Sequence, residues 1–303
     1  MADALIVGCG YTGLRLARRL SESGHEVAGT TRSEERARRL EEAGVRPLVL
    51  NVGRPEGLRA LEGEAPEVCF YLVPPLREEA SGGETRYRDP TVDVIAALRR
   101  APLEAFVYGS STSVYGDRGG AAVDESAGPR PDAPLGRARL EAERSVLRAG
   151  WTWDCRPRIG RIGGIYGPGR TMRRSIREGR YRLVEGLEAW SNRIHVDDLA
   201  AGLEAIWTRG ENNRVYNLVD DEPHRSDDFA RLVAELAGLE LETLGLEEAR
   251  ASYSESRWAR KAGSKRVSNR RLREELEVEL AYPTFREGVP AALREEGVEL
   301  EGG

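Results

Sequence analysis

A glycine-rich segment near the N-terminus has the spacing that lets a backbone loop hold a pyrophosphate group. The motif GxGxxG directly follows the apolar run Ala4–Val7 and begins a helical pattern. A position between a strand and a helix is what distinguishes a dinucleotide-binding motif from a chance match. Its first glycine allows a tight turn, its second lets the backbone approach the phosphates, and its third lets the helix pack on the strand. The N–H groups at the helix N-terminus would then face the phosphates. We therefore predict a dinucleotide-binding site, rather than an ordinary glycine-rich turn, at Gly8, Gly10, Tyr11, Thr12 and Gly13.

The residues at the end of the second strand pattern indicate which dinucleotide is bound. A site that selects NAD places Asp or Glu there to accept hydrogen bonds from the ribose 2′-hydroxyl. This sequence instead has Arg32, with Arg36 one turn later, and these guanidinium groups could pair with the 2′-phosphate of NADP. NADP is therefore the favoured cofactor and NAD remains open; the alternative is that Arg32 is one more surface arginine in an arginine-rich chain. Val73, at the end of the fourth strand pattern, is expected to line the same site.

Short apolar runs alternate with helical patterns through the first half of the chain. Continuous apolar runs are typical of parallel strands that are buried on both faces. The predicted strands are Ala4–Val7, Glu26–Thr31, Leu48–Leu50, Val68–Val73 and Ala105–Tyr108. Helices lie between them, one capped by Ser33 and another over Thr91–Arg100. This order predicts an α/β fold with a Rossmann-type doubly wound parallel sheet.

Later segments carry weaker patterns. We predict a surface loop over Pro74–Asp89, because Glu, Gly and Ser dominate it. Helices are predicted over Asp227–Leu236, Glu247–Lys261 and Glu287–Glu295. The stretch Cys155–Arg161 occupies the place of a sixth strand, but it is richer in arginine than a buried strand usually is.

The composition argues against several classes of function. The 303 residues are 40% hydrophobic and 32% charged, which is ordinary for a soluble globular protein. A net charge of −5 gives no electrostatic reason to expect nucleic acid or an anionic membrane as a partner. Cys9, Cys69 and Cys155 lie far apart without the spacing of metal ligands, so they are expected to be reduced thiols. With no signal-peptide pattern and no long apolar stretch, the protein is expected to be cytoplasmic.

Four further motifs carry a family resemblance. They are Tyr108–Gly116 (YGSSTSVYG), Ile165–Arg170 (IYGPGR), Arg193–Ala200 (RIHVDDLA) and Val215–Leu218 (VYNL). With these and the glycine-rich segment in order, the chain resembles the extended short-chain dehydrogenase/reductase superfamily, of the NAD-dependent epimerase/dehydratase type. Gly136-Arg137 and the segment Ser264–Asn269 look like an atypical, YeeZ-like subgroup of that superfamily.

The resemblance implies roles for several residues. Ser111 matches the catalytic serine that hydrogen-bonds a substrate carbonyl or hydroxyl group. The family's YxxxK motif should fall in the stretch 134–143, where this sequence has Leu135 in place of the tyrosine and Arg139 in place of the lysine. Arg139 could still bond the ribose hydroxyls of the nicotinamide half as a fixed cation. Leu135, in contrast, has no proton to give, so the acid/base function of the tyrosine is missing.

A replacement acid or base is expected among residues that the family packs near its cleft. Tyr115, Tyr166 and His195 lie in the matching motifs and are the catalytic candidates besides Ser111. Each has a structural alternative. The two tyrosines usually pack in the interior, and the histidine usually orients a turn against the acidic pair that follows it.

The domain organisation and the function follow from the same resemblance. We expect an NAD(P)-binding Rossmann domain over residues 1–165, rejoined by 193–218, and a smaller C-terminal α/β substrate lobe over 166–192 and 220–303. The leading hypothesis is an NADP-dependent oxidoreductase or epimerase-like enzyme with a modified acid/base set and an unidentified small-molecule substrate. The alternative is a non-catalytic dinucleotide-binding sensor or scaffold. Family members often form homodimers, and the resemblance leaves this open here.

Overall fold

The apolar runs of the first half become strands of one parallel sheet in a computed structural model of the protein, which describes residues 2–79, 85–153 and 155–300. Within these residues the sheet has seven strands: β1 (Ala4–Val7), β2 (Val27–Thr31), β3 (Arg46–Val49), β4 (Val68–Tyr71), β5 (Ala105–Ser111), β6 (Pro157–Ile162) and β7 (Arg214–Leu218). Their order across the sheet is β3-β2-β1-β4-β5-β6-β7, and every neighbouring pair is parallel. The predicted Rossmann-type doubly wound α/β fold is therefore confirmed.

Helices cover both faces of the sheet. In the described chain they are α1 (Tyr11–Glu22), α2 (Glu34–Glu42), α3 (Pro55–Leu61), α4 (Thr91–Ala97), α5 (Pro134–Trp153), α6 (Arg173–Arg177), α7 (Val196–Arg209), α8 (Asp228–Leu236), α9 (Leu246–Ser252), α10 (Glu255–Ala262), α11 (Arg270–Glu274) and α12 (Phe285–Glu295). Helices α1 and α7 pack together on one face, and α3, α4 and α5 pack on the other. The central strands are consequently buried on both faces, which is why their sequences are continuous apolar runs.

Strand β1 shows how one apolar run serves two cores. Successive side chains of a strand point to opposite faces of the sheet. Ala4 and Ile6 belong to the core beneath α1 and α7, whereas Leu5 and Val7 belong to the core beneath α4 and α5. All four side chains are fully buried, so a polar residue at any of these positions would face an apolar core.

The element boundaries differ from the predicted ones by small shifts. Ser33 caps α2 as predicted, while β3 covers Arg46–Val49 rather than Leu48–Leu50. Strand β5 extends beyond the predicted Ala105–Tyr108 and runs to Ser111. Apolar content marks the buried part of a strand but not its polar end, so the sequence does not show that β5 carries Ser111 to the carboxyl edge of the sheet.

The segment Pro74–Asp89, predicted as a loop, contains an antiparallel strand pair. Leu76–Glu79 pairs with Thr85–Arg88, and the residues between these strands lie outside the described chain. The Arg88 guanidinium lies 3.1 Å from a Glu78 carboxylate oxygen. The charged side chains that suggested a solvated loop therefore form an ion pair between the two strands. The loop prediction is wrong for these strands, because composition does not reveal cross-strand pairing.

The charged stretch Glu247–Lys261 forms two helices rather than the single predicted helix. Helix α9 ends at Ser252, and α10 begins at Glu255. Between them Ser254 has an extended backbone, and its hydroxyl accepts a hydrogen bond from the Arg257 N–H. This N-cap starts a new helix at a point where the helical pattern of the sequence continues without interruption.

A separate apolar core lies beneath α8 and α12. It contains Tyr166, Phe229, Phe285 and Val289. Short strand pairs accompany it and the neighbouring loops: Gly164–Tyr166 with Arg193–His195, Ala122–Val123 with Arg266–Val267, Leu183–Val184 with Thr243–Leu244, and Trp190–Ser191 with His224–Arg225. Leu272, from the predicted substrate lobe, joins the core beneath α1 and α7.

Across the described residues, the helices are too short or too polar to cross a membrane.

The arginines of β6 have defined partners. Arg161 is buried, and its Nε and Nη2 donate to the Glu143 carboxylate at 3.0 and 2.8 Å. The same carboxylate accepts a hydrogen bond from Ser110 Oγ at 2.5 Å. Arg158 donates to carbonyl oxygens in the last turn of α7. One buried ion pair and one helix C-terminus thus account for the polar character of this strand.

Candidate functional site

The glycine-rich loop between β1 and α1 makes close contacts that explain two of its glycines. Gly8 has a φ of +92°, and a Cβ there would lie 2.8 Å from Val73 Cγ2. A Cβ on Gly13 would lie 2.9 Å from the Gly8 carbonyl oxygen, and α1 could then not pack as closely on β1. The Gly8 N–H donates to Thr30 Oγ1 at 2.9 Å, which holds the loop against the end of β2.

The N-terminus of α1 faces open space. A Cβ built on Gly10, the N-cap residue, meets no protein atom within 4 Å. No side chain accepts a hydrogen bond from the first turn, and that turn has no acidic residue to offset the positive end of the helix. Thr12 lines a neighbouring cavity, while the Tyr11 ring lies 5.0 Å from the Arg170 guanidinium. Unused N–H groups beside open space fit a pyrophosphate.

A first cavity, of about 240 Å³, lies beside this loop at the ends of β1, β2 and β4. Its lining includes Gly10, Arg32, Arg36, Asn51 and Val73. Arg32 and Arg36 are exposed, and neither guanidinium has an ion-pair partner within the part of the chain that the structure describes. Two such cations, one directly after β2 and one in the first turn of α2, can hold a phosphate dianion.

A second cavity, of about 190 Å³, continues along the same edge of the sheet. Leu72 lines both cavities, so they adjoin at the end of β4. Ser111 and Arg139 also line the second cavity. Ser111 Oγ accepts a hydrogen bond from the Ser113 N–H at 3.2 Å, and no described residue accepts its hydroxyl proton. Arg139 Nη1 donates to the Gly109 carbonyl oxygen at 2.8 Å, which holds the guanidinium at the end of β5.

A third cavity, of about 410 Å³, shares Ser111 with the second. Leu135 lines the third cavity and Arg139 the second, so both residues at the expected YxxxK positions face this row of cavities. The cationic side chains in the lining of the third cavity are Arg193, Arg260, Lys261 and Lys265. The row can accommodate an extended ligand in its first two cavities and a second molecule beyond Ser111.

Two tyrosines predicted as replacement acids or bases are interior residues. Neither Tyr115 nor Tyr166 contributes to the lining of the three cavities in the described chain. Tyr115 OH donates to Asn217 Oδ1 at 2.8 Å, and Tyr166 OH donates to the Thr284 carbonyl oxygen at 3.3 Å. Burial raises the pKa of both phenols. Their catalytic roles stay predictions, and the structure gives each hydroxyl a structural partner.

His195, the third candidate, caps helix α7. Its Nδ1 accepts a hydrogen bond from the Asp197 N–H at 3.3 Å, and its ring lies against the Tyr282 ring with centroids 4.0 Å apart. His195 likewise does not line the three cavities of the described chain. Burial lowers the pKa of its imidazole to about 4, so the ring is neutral near pH 7. Its catalytic role also stays a prediction.

Two cations of the third cavity carry a sequence signal that the family motifs do not capture. Lys261 and Lys265 are the only lysines among the 303 residues, in a chain that otherwise uses arginine. A guanidinium carries the same charge as an ammonium group, but it does not release its proton in proteins. Among the cations that line the third cavity, Lys261 and Lys265 are therefore the two that can give up a proton.

Known proteins resemble this chain over most of its length. The NAD dependent epimerase/dehydratase family matches residues 4–218. A Stigmatella aurantiaca protein, 4-hydroxy-2-methyl-3-oxo-4-farnesyl-3,4-dihydroquinoline-1-oxide ketoreductase, is 30% identical over 270 residues, which are 83% of this chain and 79% of the relative. Protein YeeZ of Escherichia coli (strain K12) is 25% identical over 247 residues, which are 79% of this chain and 85% of the relative.

A solved structure extends this similarity to the whole chain. A functionally unknown conserved protein from Silicibacter pomeroyi DSS superposes with a TM-score of 0.81 at 31% identity. The superposition covers 99% of this chain and 100% of that protein. Both the sheet and the segments after β7 are therefore shared with a solved structure.

Proposed function

The chain belongs to the NAD dependent epimerase/dehydratase family, and from this premise we propose that it is an NADP-dependent oxidoreductase or epimerase-like enzyme acting on a carbonyl or hydroxyl group of a small molecule. The observation that carries the proposal is the row of three cavities, which adjoin at Leu72 and at Ser111. A dinucleotide and a second molecule can meet at Ser111 in such a row. The 30% identity to a ketoreductase supports reduction of a carbonyl group as the reaction class.

The first and second cavities would hold the dinucleotide. Its pyrophosphate would lie over Gly10, where the first-turn N–H groups of α1 can donate to it. Arg32 and Arg36 would hold the 2′-phosphate, and Arg139 would donate to the hydroxyls of the nicotinamide ribose. When bound, the nicotinamide ring supplies or accepts a hydride.

Ser111 would hold the reacting oxygen of the substrate. The Ser113 N–H occupies one acceptor site of its hydroxyl and so orients it, while the hydroxyl proton is left to donate. A donor fixed in this way polarises a carbonyl group and stabilises the negative charge that develops on its oxygen. Ser111 by itself does not supply the proton that completes the reduction.

The third cavity would select the substrate. Its lining includes Trp190, Ser226 and Lys261, which come from the segments 166–192 and 220–303. We accordingly retain, as part of the proposal, the division into an NAD(P)-binding domain and a smaller substrate lobe. The mixture of an indole ring, hydroxyl groups and cations favours a polar substrate with an aromatic or otherwise flat part.

Replacing Arg32 with alanine is expected to weaken NADP binding at least about tenfold and to leave NAD binding nearly unchanged. Losing one charge-assisted hydrogen bond to a phosphate costs on the order of 1.5–3 kcal/mol, and about 1.4 kcal/mol corresponds to a factor of ten in affinity. Isothermal titration with both dinucleotides measures the effect. Arg38→Ala, an exposed arginine of α2 that does not line the first cavity, is the matched control. Equal losses for NADP and NAD would show that Arg32 acts on the loop and not on the 2′-phosphate.

NADPH oxidation in the presence of small carbonyl compounds tests the proposed activity. We expect turnover with some members of a panel of isatin, 9,10-phenanthrenequinone and nucleotide-linked keto sugars. Ser111→Ala should lower kcat by about 10²–10³, the usual effect of removing one donor to a developing oxyanion. Ser145→Ala, a serine of α5 that lines none of the three cavities in the described chain, serves as the control. Tight NADP binding with no turnover of any compound would instead favour the non-catalytic sensor or scaffold.

A further inference from the structure

Lys265 is a cationic residue of the third cavity that has no role in the function proposed above. Lys265 lines this cavity together with Ser111 and Leu135. Leu135 stands where the family resemblance places an acid, and its side chain cannot give a proton. The proposed reduction adds a proton to the substrate oxygen, so that proton must come from another group at the cavity wall.

The backbone at Lys265 is held against the cavity from two sides. Its carbonyl oxygen accepts a hydrogen bond from Asn192 Nδ2 at 2.9 Å. The next residues, Arg266–Val267, form a parallel strand pair with Ala122–Val123. A fixed backbone position confines the flexible side chain of Lys265 to one part of the cavity wall.

The two lysines of the third cavity differ in their ionic partners. Lys261 Nζ forms an ion pair with Asp227 and donates to Tyr181 OH, which lies 2.7 Å away. In the described chain, no carboxylate oxygen lies within 4.0 Å of Lys265 Nζ, the distance that defines an ion pair. The Lys261 ammonium group is therefore bound to a carboxylate of the chain itself, whereas Lys265 has no such ion pair and is left for a ligand.

The surroundings of Lys265 favour release of its proton. Burial lowers the pKa of Lys265 below its usual value; Asp132 and Asp117 favour the ammonium form and offset this only in part, while Arg118 adds to the lowering. The other titratable side chains in the lining of the third cavity are Tyr87, Asp132, Arg193, Arg260 and Lys261. Three of these groups, Arg193, Arg260 and Lys261, are cations.

We propose that Lys265 is the proton donor of this site. It would take over the role of the family's tyrosine, whose position Leu135 occupies in this chain. The inference rests on the proposed function. In the direction of reduction, the carbonyl carbon receives the hydride of NADPH, which leaves NADP, and Lys265 Nζ gives a proton to the oxygen that Ser111 holds. The C=O double bond becomes a C–O single bond, the product is the alcohol, and the neutral amine regains a proton from water. In the direction of oxidation, the neutral amine accepts the hydroxyl proton.

A lysine donor determines the sign of the pH dependence. Reduction needs the ammonium form, so kcat for reduction is highest below the pKa of Lys265 and falls as the pH rises through it. Because that pKa is lowered, the fall comes at a lower pH than the value of about 10.4 for an exposed lysine. Oxidation needs the neutral amine and shows the opposite dependence.

The test combines an NMR titration with steady-state kinetics on the full chain. Lysine labelled with carbon-13 gives two Cε resonances, which Lys261→Arg and Lys265→Arg assign, because the chain has two lysines. NADPH oxidation is measured with isatin and with 9,10-phenanthrenequinone for the wild type, Lys265→Arg and Lys265→Met. Arg266→Met is the control, since this neighbouring cation is exposed and does not line the third cavity. The melting-temperature shift with NADP reports whether each variant folds and binds the dinucleotide.

We expect Lys265 to titrate below about 10.4, the ordinary lysine value, and kcat to fall by about 10²-fold or more in both Lys265 variants. Arginine keeps the charge but not the transferable proton, so equal losses with arginine and methionine identify proton donation. The donor role is overturned if Lys265→Arg retains the wild-type kcat, which would leave Lys265 as a charge that binds substrate. It is equally overturned if Lys265 titrates at the ordinary value. A wild type that binds NADP but turns over neither compound contradicts the proposed function itself, and the donor role with it.

Discussion

Replacing Gly10 with valine is expected to abolish the rise in melting temperature that NADP gives the wild-type protein. A Cβ at Gly10 meets no protein atom within 4 Å, so the fold can accept a side chain there. The branched side chain would, however, fill the space in front of the first-turn N–H groups of α1, where the pyrophosphate would bind. A ligand present at about 100 times its Kd stabilises the folded state by about 2.7 kcal/mol, and this gain should vanish in the variant.

The matched control for Gly10→Val is the same change at Gly245. Gly245 is also a helix N-cap, and a Cβ there likewise meets nothing within 4 Å. Gly245 lines none of the three cavities of the described chain, so Gly245→Val should keep the full shift with NADP. Differential scanning fluorimetry with NADP and NAD at millimolar concentration measures both variants. A full NADP shift in Gly10→Val, or the lack of any shift in the wild type with either dinucleotide, would contradict the proposed cofactor site.

Replacing Glu143 with leucine is expected to destabilise the protein by about 3–5 kcal/mol, the usual cost of leaving one partner of a buried ion pair without the other. The side chains of Glu143 and Arg161 are only 3% and 5% exposed, so water cannot take over the lost interaction. The change also removes the acceptor of Ser110 Oγ. Urea unfolding followed by circular dichroism gives the free energy of unfolding.

A double variant separates the cost of an unpaired charge from the value of the pair. Glu143→Leu/Arg161→Met removes both charges and should recover most of the lost stability, because a well-packed apolar pair is often as stable as a buried ion pair. Glu35→Leu, at the exposed pair with Arg39, should cost less than about 1 kcal/mol. If Glu143→Leu costs no more than Glu35→Leu, the buried pair does not hold β6 to α5.

This ion pair also bears on the position of Ser111. Glu143 joins α5 to β6 through Arg161 and to the end of β5 through Ser110. Ser111 follows at the end of the same strand, where the second and third cavities meet. We therefore expect Glu143→Leu to lower kcat as well as stability. The variant Glu143→Leu/Arg161→Met should recover more of the free energy of unfolding than of kcat.

Local patterns in the sequence were sufficient to predict the Rossmann-type fold. Buried parallel strands need continuous apolar runs, and β1 from Ala4 to Val7 is such a run with two core-facing sides. The glycine-rich loop could also be predicted, because Gly8 and Gly13 lie where backbone atoms approach too closely for a Cβ. These features depend on a few neighbouring residues, so spacing and residue type determine them.

The parts of the structure that join distant segments could not be predicted in this way. The strands Leu76–Glu79 and Thr85–Arg88 pair with each other across the residues between them, whereas the composition of the segment suggested a loop. Burial of Arg161 likewise depends on a carboxylate that α5 carries to β6. In each case the charge pattern of one segment looks like solvated surface until its partner is known.

The candidate site also has one part that the sequence predicted and one part that it did not. The sequence by itself was enough to predict the dinucleotide half, since the glycine-rich loop and Arg32 belong to one strand–helix–strand unit. Only the tertiary structure placed Lys265, Ser111 and Leu135 in the lining of one cavity, because the loops that meet in the third cavity come from remote parts of the chain. Periodicity and spacing describe how a short segment folds, whereas the contacts among remote side chains, and the burial that shifts their pKa values, depend on how the whole chain packs.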